Sequence, residues 1–515
     1  MFSKDYKVVA RVNTVTFQGV DVLDIDVQVQ IINGLPAFQI VGLPDKAIAE
    51  SRERVRAALH ALGLSLPAKR LTVNLAPADV MKEGSHFDLP IALGILAAME
   101  VIPQEELDRY TVLGELSLDG SLRAVAGILP AAMHAHAHKR GLICPETSGP
   151  EAAWADIEVI AADNLISLMN HLKGKQIIPQ PEVKALEEKI FDLPDMKDVK
   201  GQETAKRALE VTAAGGHNLL MMGPPGSGKS MLAARLPSIL PPLAPEEAIE
   251  VSTIHSIAGE LSEGRLVRTR PFRDPHHSAS LPSIVGGGQK ARPGEVSLSH
   301  HGVLFLDELP EFSRQTLESL RQPLETRRTL VSRANYHVTF PANFQFVAAM
   351  NPCRCGYIGD ASQACSRAPK CALDYQSKIS GPLFDRIDIH IDVPAVQISD
   401  LVTEQKGEAS TEIAERVVKA RKIQKDRFEA LGFYDLKVNA EAQGEALDKI
   451  IITDSEAQKL LTIAAEKMKL SARSYYRVLR VARTLADLHT SELILKSHIA
   501  EALVYRRLYS ENNLK

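Results

Sequence analysis

The chain has 515 residues, a formal net charge of −4 and 45% hydrophobic residues. That exceeds what one core of roughly 250–300 residues takes up, so two or three domains are expected. The near balance of charge excludes a global basic field, and any nucleic-acid contact must come from a local positive surface.

The first residues, Met1 to Lys7, lack the apolar stretch of a signal peptide, and no apolar run approaches the roughly 18 residues of a membrane span. Five cysteines in such a length do not form a disulfide framework. A cytoplasmic protein without a membrane partner is the expectation. Residues 1–172 mix strand-like and helix-like segments. Apolar side chains alternate at Val20 and Val22, then from Leu23 through Ile25, Val27, Val29 and Ile31, a register shift that predicts a bulge or turn between Val22 and Leu23. Asp45 is placed to cap a helix with Ile48, Val55, Leu59 and Leu62 on one face and Gly63 as its stop. A strand over 71–75 and a buried helix over 89–98 follow. A polar connector spans 173–192, with Pro179 and Pro181 near its start. Nucleotide motifs occupy 193–395. From 396 to 515 the pattern is helical, with helices expected over 410–428, 455–468, 474–488 and 497–509.

Gly223-Pro224-Pro225-Gly226-Ser227-Gly228-Lys229-Ser230 matches G-x-x-x-x-G-K-[ST] at every fixed position, after a short apolar strand and ahead of a helix. Such glycines let backbone N–H groups wrap phosphates at a helix start. Lys229 then reaches the β and γ phosphates of ATP, and Ser230 supplies an oxygen to Mg²⁺. The apolar run 303–306 delivers Asp307 and Glu308 at its C-terminal end, the first for the Mg²⁺ shell and the second to polarise the attacking water. Asn351 ends another apolar strand, where its amide can hold the attacking water or the γ-phosphate; the alternative is a plain strand-end turn residue. Arg386 sits just before a further strand. It reads as an arginine finger entering a neighbour's site, or as a salt-bridge partner of Asp385 or Asp388.

Cys353, Cys355, Cys365 and Cys371 cluster directly after Asn351. Four thiolates satisfy tetrahedral Zn²⁺, and a small loop has little core of its own, so a structural zinc site is favoured over four reduced, unliganded thiols. A β-hairpin is expected over 328–340 with its tip at 332–335. A glycine-rich stretch over 285–292 carries Lys290 and Arg292. Arg265, Arg268, Arg270 and Arg273 add positive charge that faces DNA or an adjacent subunit, while His276 and His277, lacking a third ligand, read as structural.

Together these motifs resemble the AAA+ ATPases of the magnesium-chelatase-like group, and in particular the bacterial ComM/YifB family, over almost the whole chain. The carriers are Arg270-Pro-Phe-Arg-Asp-Pro-His-His277, Arg292-Pro-Gly-Glu295, the stretch from Ser299 through Asp307 and Glu308 to Phe312, and Ser380-Gly-Pro-Leu-Phe-Asp-Arg386. The resemblance implies an α/β AAA+ core with a parallel sheet over 193–395 and a helical lid over 396–515. It implies a ring, a homohexamer, whose ATP hydrolysis drives branch migration on single-stranded or branched DNA in recombination or natural transformation. It makes Asn351 the sensor 1 residue and Arg386 the finger. Within Leu470-Ser-Ala-Arg473-Ser-Tyr-Tyr-Arg477, Arg473 is the favoured γ-phosphate sensor and Arg477 the second choice; an ion-paired face is the alternative for the remaining arginines. In similar ring helicases a hairpin before sensor 1 enters the pore, which puts Arg333 against DNA, with Lys290 and Arg292 as further contacts. Residues 1–172 resemble the Lon-protease-like fold, but the stretch Gly84-Ser-His-Phe-Asp88 places His86 where the nucleophile belongs, and Leu129-Pro-Ala-Ala132 has no lysine. No peptidase chemistry is expected. Two rival functions share the ATP motifs: a motor subunit for magnesium insertion into a porphyrin, and an AAA+ protein-remodelling chaperone.

Overall fold

The computed structural model describes residues 9–43, 45–183, 193–288, 291–332, 337–356, 358, 366–367, 370–396 and 407–506. Its first sheet is seven-stranded and contains β1 (Ala10–Gln18), β2 (Asp21–Ile32), β3 (Ala37–Val41), β4 (Arg70–Ala76), β5 (Tyr110–Val112), β8 (Gly141–Pro145) and β9 (Val159–Ala162), in the order β3-β4-β2-β1-β5-β8-β9. Between β5 and β8, β6 (Glu115–Leu116) and β7 (Leu122–Arg123) form a separate antiparallel pair. Strand alternation divides the apolar residues between two faces. Val12, Ile25, Val27 and Val29 pack against the helices Lys46–Ala61 and Asp88–Ala98. Val15 and Leu142 pack on the opposite side against the helix Ile128–Ala137.

Asp45 caps its helix as expected, accepting from Ile48 N at 2.8 Å. The buried Asp88 takes both Arg54 nitrogens, at 2.6 and 2.9 Å, and so ties the first two helices together. The expected break between Val22 and Leu23 is not there. β2 runs unbroken, and the chain reverses earlier, at Gly19 with φ 69°. Alternation misled because this end of β2 has apolar partners beyond one face: Val22 packs with the cluster under Ile128, while Val20 packs on a neighbouring hairpin.

The second sheet is parallel and five-stranded, in the order β11-β12-β15-β10-β16. Its strands are β10 (Leu219–Met222), β11 (Phe272–Arg273), β12 (Val303–Leu306), β15 (Gln345–Met350) and β16 (Ile389–Asp392). The continuous apolar runs of β10, β12 and β15 are those of strands buried on both faces. Leu219, Met221, Phe305 and Val347 enter one core, and Leu220, Met222, Leu304 and Phe346 the other. The first of these cores extends into the C-terminal helices Ser410–Ala430, Ser455–Lys467, Ala472–Leu488 and Lys496–Val504 through Val417, Leu461, Leu485 and Ile499. The third helix starts earlier than expected because Ser471, not Ser474, caps it. The expected 497–509 helix ends at Val504, and residues beyond 506 lie outside the described part.

β13 (Arg328–Ser332) and β14 (His337–Pro341) form the expected antiparallel hairpin, apart from the main sheet. It touches the N-terminal sheet: a Cβ on Gly19 would stand 2.8 Å from the Thr339 carbonyl oxygen. The two halves also meet where Gly127 N donates to Ser256 O (3.0 Å) and Trp154 Nε1 donates to Gly264 O (2.9 Å). Among the described residues no helix is long and apolar enough to cross a membrane.

Candidate nucleotide site

The parallel sheet brings three sequence-predicted groups to the C-terminal ends of neighbouring strands, where open α/β sheets hold ligands. β10 runs into the glycine loop, whose Gly223 N donates to Met350 O of β15 (3.2 Å). Lys229, only 8% exposed, turns its ammonium back over this loop. It donates to Gly223 O and Pro224 O, both at 2.9 Å, and to Asn351 Oδ1 at 3.2 Å. Burial lowers its pKa, and the nearby Asp307 and Glu308 carboxylates work the other way. Asp307 Oδ2 accepts from Ser230 Oγ at 2.5 Å, and its Oδ1 from Glu308 N at 2.8 Å. Two hard oxygen donors meeting beside the loop lysine are a set that fits Mg²⁺.

Glu308 holds a left-handed backbone, φ 50° and ψ 45°, uncommon for a residue with a side chain and recurrent at functional sites. Its carboxylate stays half exposed, 3.5 Å from His277 Nδ1. His277, expected to be only structural, therefore stands beside the residue expected to activate water, whereas His276 Nδ1 is engaged by Ser278 Oγ at 2.7 Å. Asp274, from the same segment, has its pKa raised by burial and by the charge on Asp307. The signal available in the sequence was the string from Arg270 to His277, but nothing in it pointed to Glu308.

The start of the cysteine-bearing stretch, at Gly356, lies against the phosphate loop. A Cβ on Gly356, at φ 86°, would stand 2.5 Å from Pro225 Cδ. The sulfurs of Cys353 and Cys355 are 3.1 Å apart, and those of Cys353, Cys355 and Cys371 all lie within 4.8 Å of one another. Cys365 is outside the described residues. Three converging soft donors fit Zn²⁺.

Arg386 is not paired with Asp385 or Asp388. Its guanidinium donates to Pro382 O at 2.6 Å and to Glu325, a partner 61 positions away for which the sequence offered no sign. Asp388 instead faces Arg477 (3.7 Å), Arg480 (4.0 Å) and His217 (3.7 Å). Arg473, Arg477, Arg480 and Arg386 line one cavity of about 600 Å³, and none of residues 223–230, 307, 308 or 351 borders it. The favoured γ-phosphate sensor Arg473 and the second choice Arg477 thus share this cavity with the expected finger Arg386. The helix Ala472–Leu488 buries Val478 and Leu485 in the core, and its Arg473 and Arg477 reach the cavity that Asp385 and Asp388 also line.

Arg483 is buried and bonded to Asp487 at 3.0 Å. Arg270 and Arg273 are likewise neutralised, by Glu247 at 3.0 Å and Glu295 at 2.5 Å, so they do not add free positive charge to the surface. Arg292 is exposed, its backbone bridged to Gly287. Arg333 and Lys290 lie outside the described residues.

Three family descriptions match the chain in order: "Subunit ChlI of Mg-chelatase" over residues 27–148, "Magnesium chelatase, subunit ChlI" over 195–401, and "Magnesium chelatase, subunit ChlI C-terminal" over 407–506. The competence protein ComM of Haemophilus influenzae is 42% identical, over 95% of this chain and 96% of its own length. The protein YifB of Escherichia coli is 42% identical over 96% of this chain and 97% of its own. The magnesium-chelatase 38 kDa subunit of Rhodobacter capsulatus is 28% identical over 30% of this chain and 49% of its own. With the phosphate loop, the acidic strand end and Asn351 assembled on one parallel sheet and this similarity running through nearly the full length, the chain belongs to the ComM/YifB family of magnesium-chelatase-like AAA+ proteins.

Proposed function

We propose that this chain is an ATP-hydrolysing motor that assembles as a homohexameric ring and moves single-stranded or branched DNA, with a non-peptidase N-terminal domain over 1–172, a linker over 173–192, the ATPase core over 193–395 and a lid over 396–515. The observation that carries the ATPase half is a pair of hydrogen bonds at the end of one sheet, Lys229 to Asn351 and Ser230 to Asp307. Lys229 stabilises the β and γ phosphates, Asn351 orients them or the water, and the half-exposed Glu308 takes the water's proton. Ser230 and Asp307 hold Mg²⁺, which offsets phosphate charge. Arg386 and Arg473 share a cavity away from their own phosphate loop, an arrangement that suits action on a neighbour's nucleotide, as a ring requires.

The DNA half rests on the near full-length similarity to a protein named for competence and on the hairpin β13–β14, whose connection carries Arg333. A cation at a hairpin tip contacts phosphates without reading bases, with Lys290 and Arg292 adding to it. Zinc bound by Cys353, Cys355, Cys365 and Cys371 would fix the loop that backs Pro225. Metal analysis of protein purified without chelator should then find about one zinc per chain more than in Cys353→Ser/Cys355→Ser protein.

The test of the whole reading is ATP-driven migration of four-way DNA junctions by the full chain, with Glu308→Gln as control. The wild type should move junctions, and its ATPase should rise with DNA. Glu308→Gln should bind ATP without turnover. ATP hydrolysis indifferent to DNA, with junctions unmoved, would overturn the DNA assignment and leave the chelatase-type and remodelling functions. Normal hydrolysis by Glu308→Gln would overturn the assignment of the water-activating residue.

A further inference from the structure

We propose that Asp24, His134 and His138, on the N-terminal sheet and its covering helix, bind a late first-row divalent cation of the zinc class. Residues four apart on a helix share a face, and here that face is turned to the sheet. Asp24 stands opposite Val15 in the β1–β2 register, and Val15 packs directly under Ile128, Ala131 and Ala132. The last turn of the helix Ile128–Ala137 therefore lies over Asp24. His134 Nε2 is 3.1 Å and His138 Nε2 is 3.7 Å from the same oxygen, Asp24 Oδ2. The three ligand atoms all fall within 4.8 Å of one another. A tetrahedral cation with bonds of about 2.0–2.1 Å separates its donors by roughly 3.3 Å, which is what these spacings bracket.

The surrounding hydrogen bonds fit ligation better than a plain ion pair. His138 Nδ1 donates to the His134 carbonyl at 2.9 Å, which leaves the Nε2 lone pair facing the carboxylate. Ring N–H to backbone carbonyl is the usual way a metal-bound imidazole is oriented. His134 Nε2 is a buried atom with no directed hydrogen-bond partner. The second Asp24 oxygen accepts from Arg140 at 3.1 Å, as ligating carboxylates are commonly steadied. Asp24 and His138 keep 45% and 43% of their side-chain surface exposed, leaving a path for the ion and room for a water ligand.

A second group of two histidines and a carboxylate, Glu250, His300 and His301, shows the contrast. Around Glu250, His300 Nδ1 accepts from Asn343 N at 3.0 Å. That bond puts the ring proton on Nε2, which donates to Glu250 at 3.2 Å, so this imidazole has no lone pair left for a metal. A charge-matched cluster is closed there and open at Asp24.

The experiment is titration of chelator-stripped, full-length Cys353→Ser/Cys355→Ser protein with zinc chloride and with nickel chloride, followed by calorimetry and thermal melting. The background removes two of the four competing thiolates. One ion per chain should bind and raise the melting temperature. His134→Ala and His138→Ala should each weaken binding by more than the roughly 10–100-fold that outer partners alone are worth, and Asp24→Asn should weaken it too. His136→Ala, exposed on the same helix, should bind as before. No saturable binding, binding that persists in the His134→Ala/His138→Ala double variant, or equal loss on His136→Ala would overturn the site. Should the serine background not fold, metal content of the wild type is compared with that of His134→Ala/His138→Ala. A difference of one ion per chain supports the site, and no difference rejects it.

Discussion

Arg386→Ala tests whether the finger and the phosphate loop serve different copies of the chain. In the folded chain the Arg386 guanidinium is 9% exposed and held by Pro382 O and Glu325. Removing it returns a carboxylate that is already 53% exposed to water, so folding should survive at a cost of about 1 kcal/mol. Because no phosphate-loop residue borders the Arg386 cavity, nucleotide affinity should stay near wild type. Hydrolysis should drop by about 10³-fold, roughly 4 kcal/mol of transition-state stabilisation. Lys229→Ala should fail earlier, at nucleotide binding. An equal mixture of the two variants then has a calculable outcome. Half the subunits carry an intact loop, and half of those face a neighbour with an intact finger. With random mixing and independent interfaces, roughly a quarter of wild-type ATPase should return, and less at any other ratio. The assay is steady-state phosphate release after co-assembly, with mixed rings verified by native mass spectrometry. Mixed rings no more active than the two variants measured apart would refute action across the interface.

Gly19→Val places a branched side chain where even a Cβ would be 2.8 Å from Thr339 O and Val338 Cγ1. Basal ATPase should persist while DNA stimulation falls, read by comparing rates with and without single-stranded DNA; equal stimulation in both proteins would detach the hairpin from the N-terminal turn. Gly356→Ala puts its Cβ against Pro225 at an unfavourable φ, a strain of about 1–2 kcal/mol. Titration with a fluorescent ATP analogue should show affinity lower by about 5–30-fold, whereas Gly381→Ala, with nothing within 4 Å of its Cβ, should bind normally. For pH, burial and then the neighbouring His300 push His301 down to about 4, against Glu250 and Glu247. The unfolded chain takes up this proton near pH 6.5 and the folded chain only near 4. Stability is therefore full above 6.5 and falls as pH drops from 6.5 to 4, by at most about 3 kcal/mol. Urea melts across that window should be flatter for His301→Gln, and parallel curves would exclude His301 as the source.

The sequence by itself determined the parts of this protein whose geometry is local. The loop from Gly223 to Ser230 follows from glycines and a lysine at fixed spacing, whatever surrounds it. The ends of β12 and β15 follow from apolar runs too short for helices, each followed by a polar residue. Asp45 at its cap and the hairpin strands also needed only near neighbours. Tertiary structure decided whatever joins distant segments. Sequence spacing is silent there, because the partner is chosen by how helices and sheets bury their apolar faces. Arg386 meets Glu325, and not the aspartates beside it, because Asp388 is taken by arginines on the helix Ala472–Leu488. That helix carries Arg473 to the Arg386 cavity through the burial of Val478 and Leu485. His277 reaches Glu308 because β11 lies next to β12. Asp24 meets two histidines more than a hundred positions later because one helix covers one face of one strand.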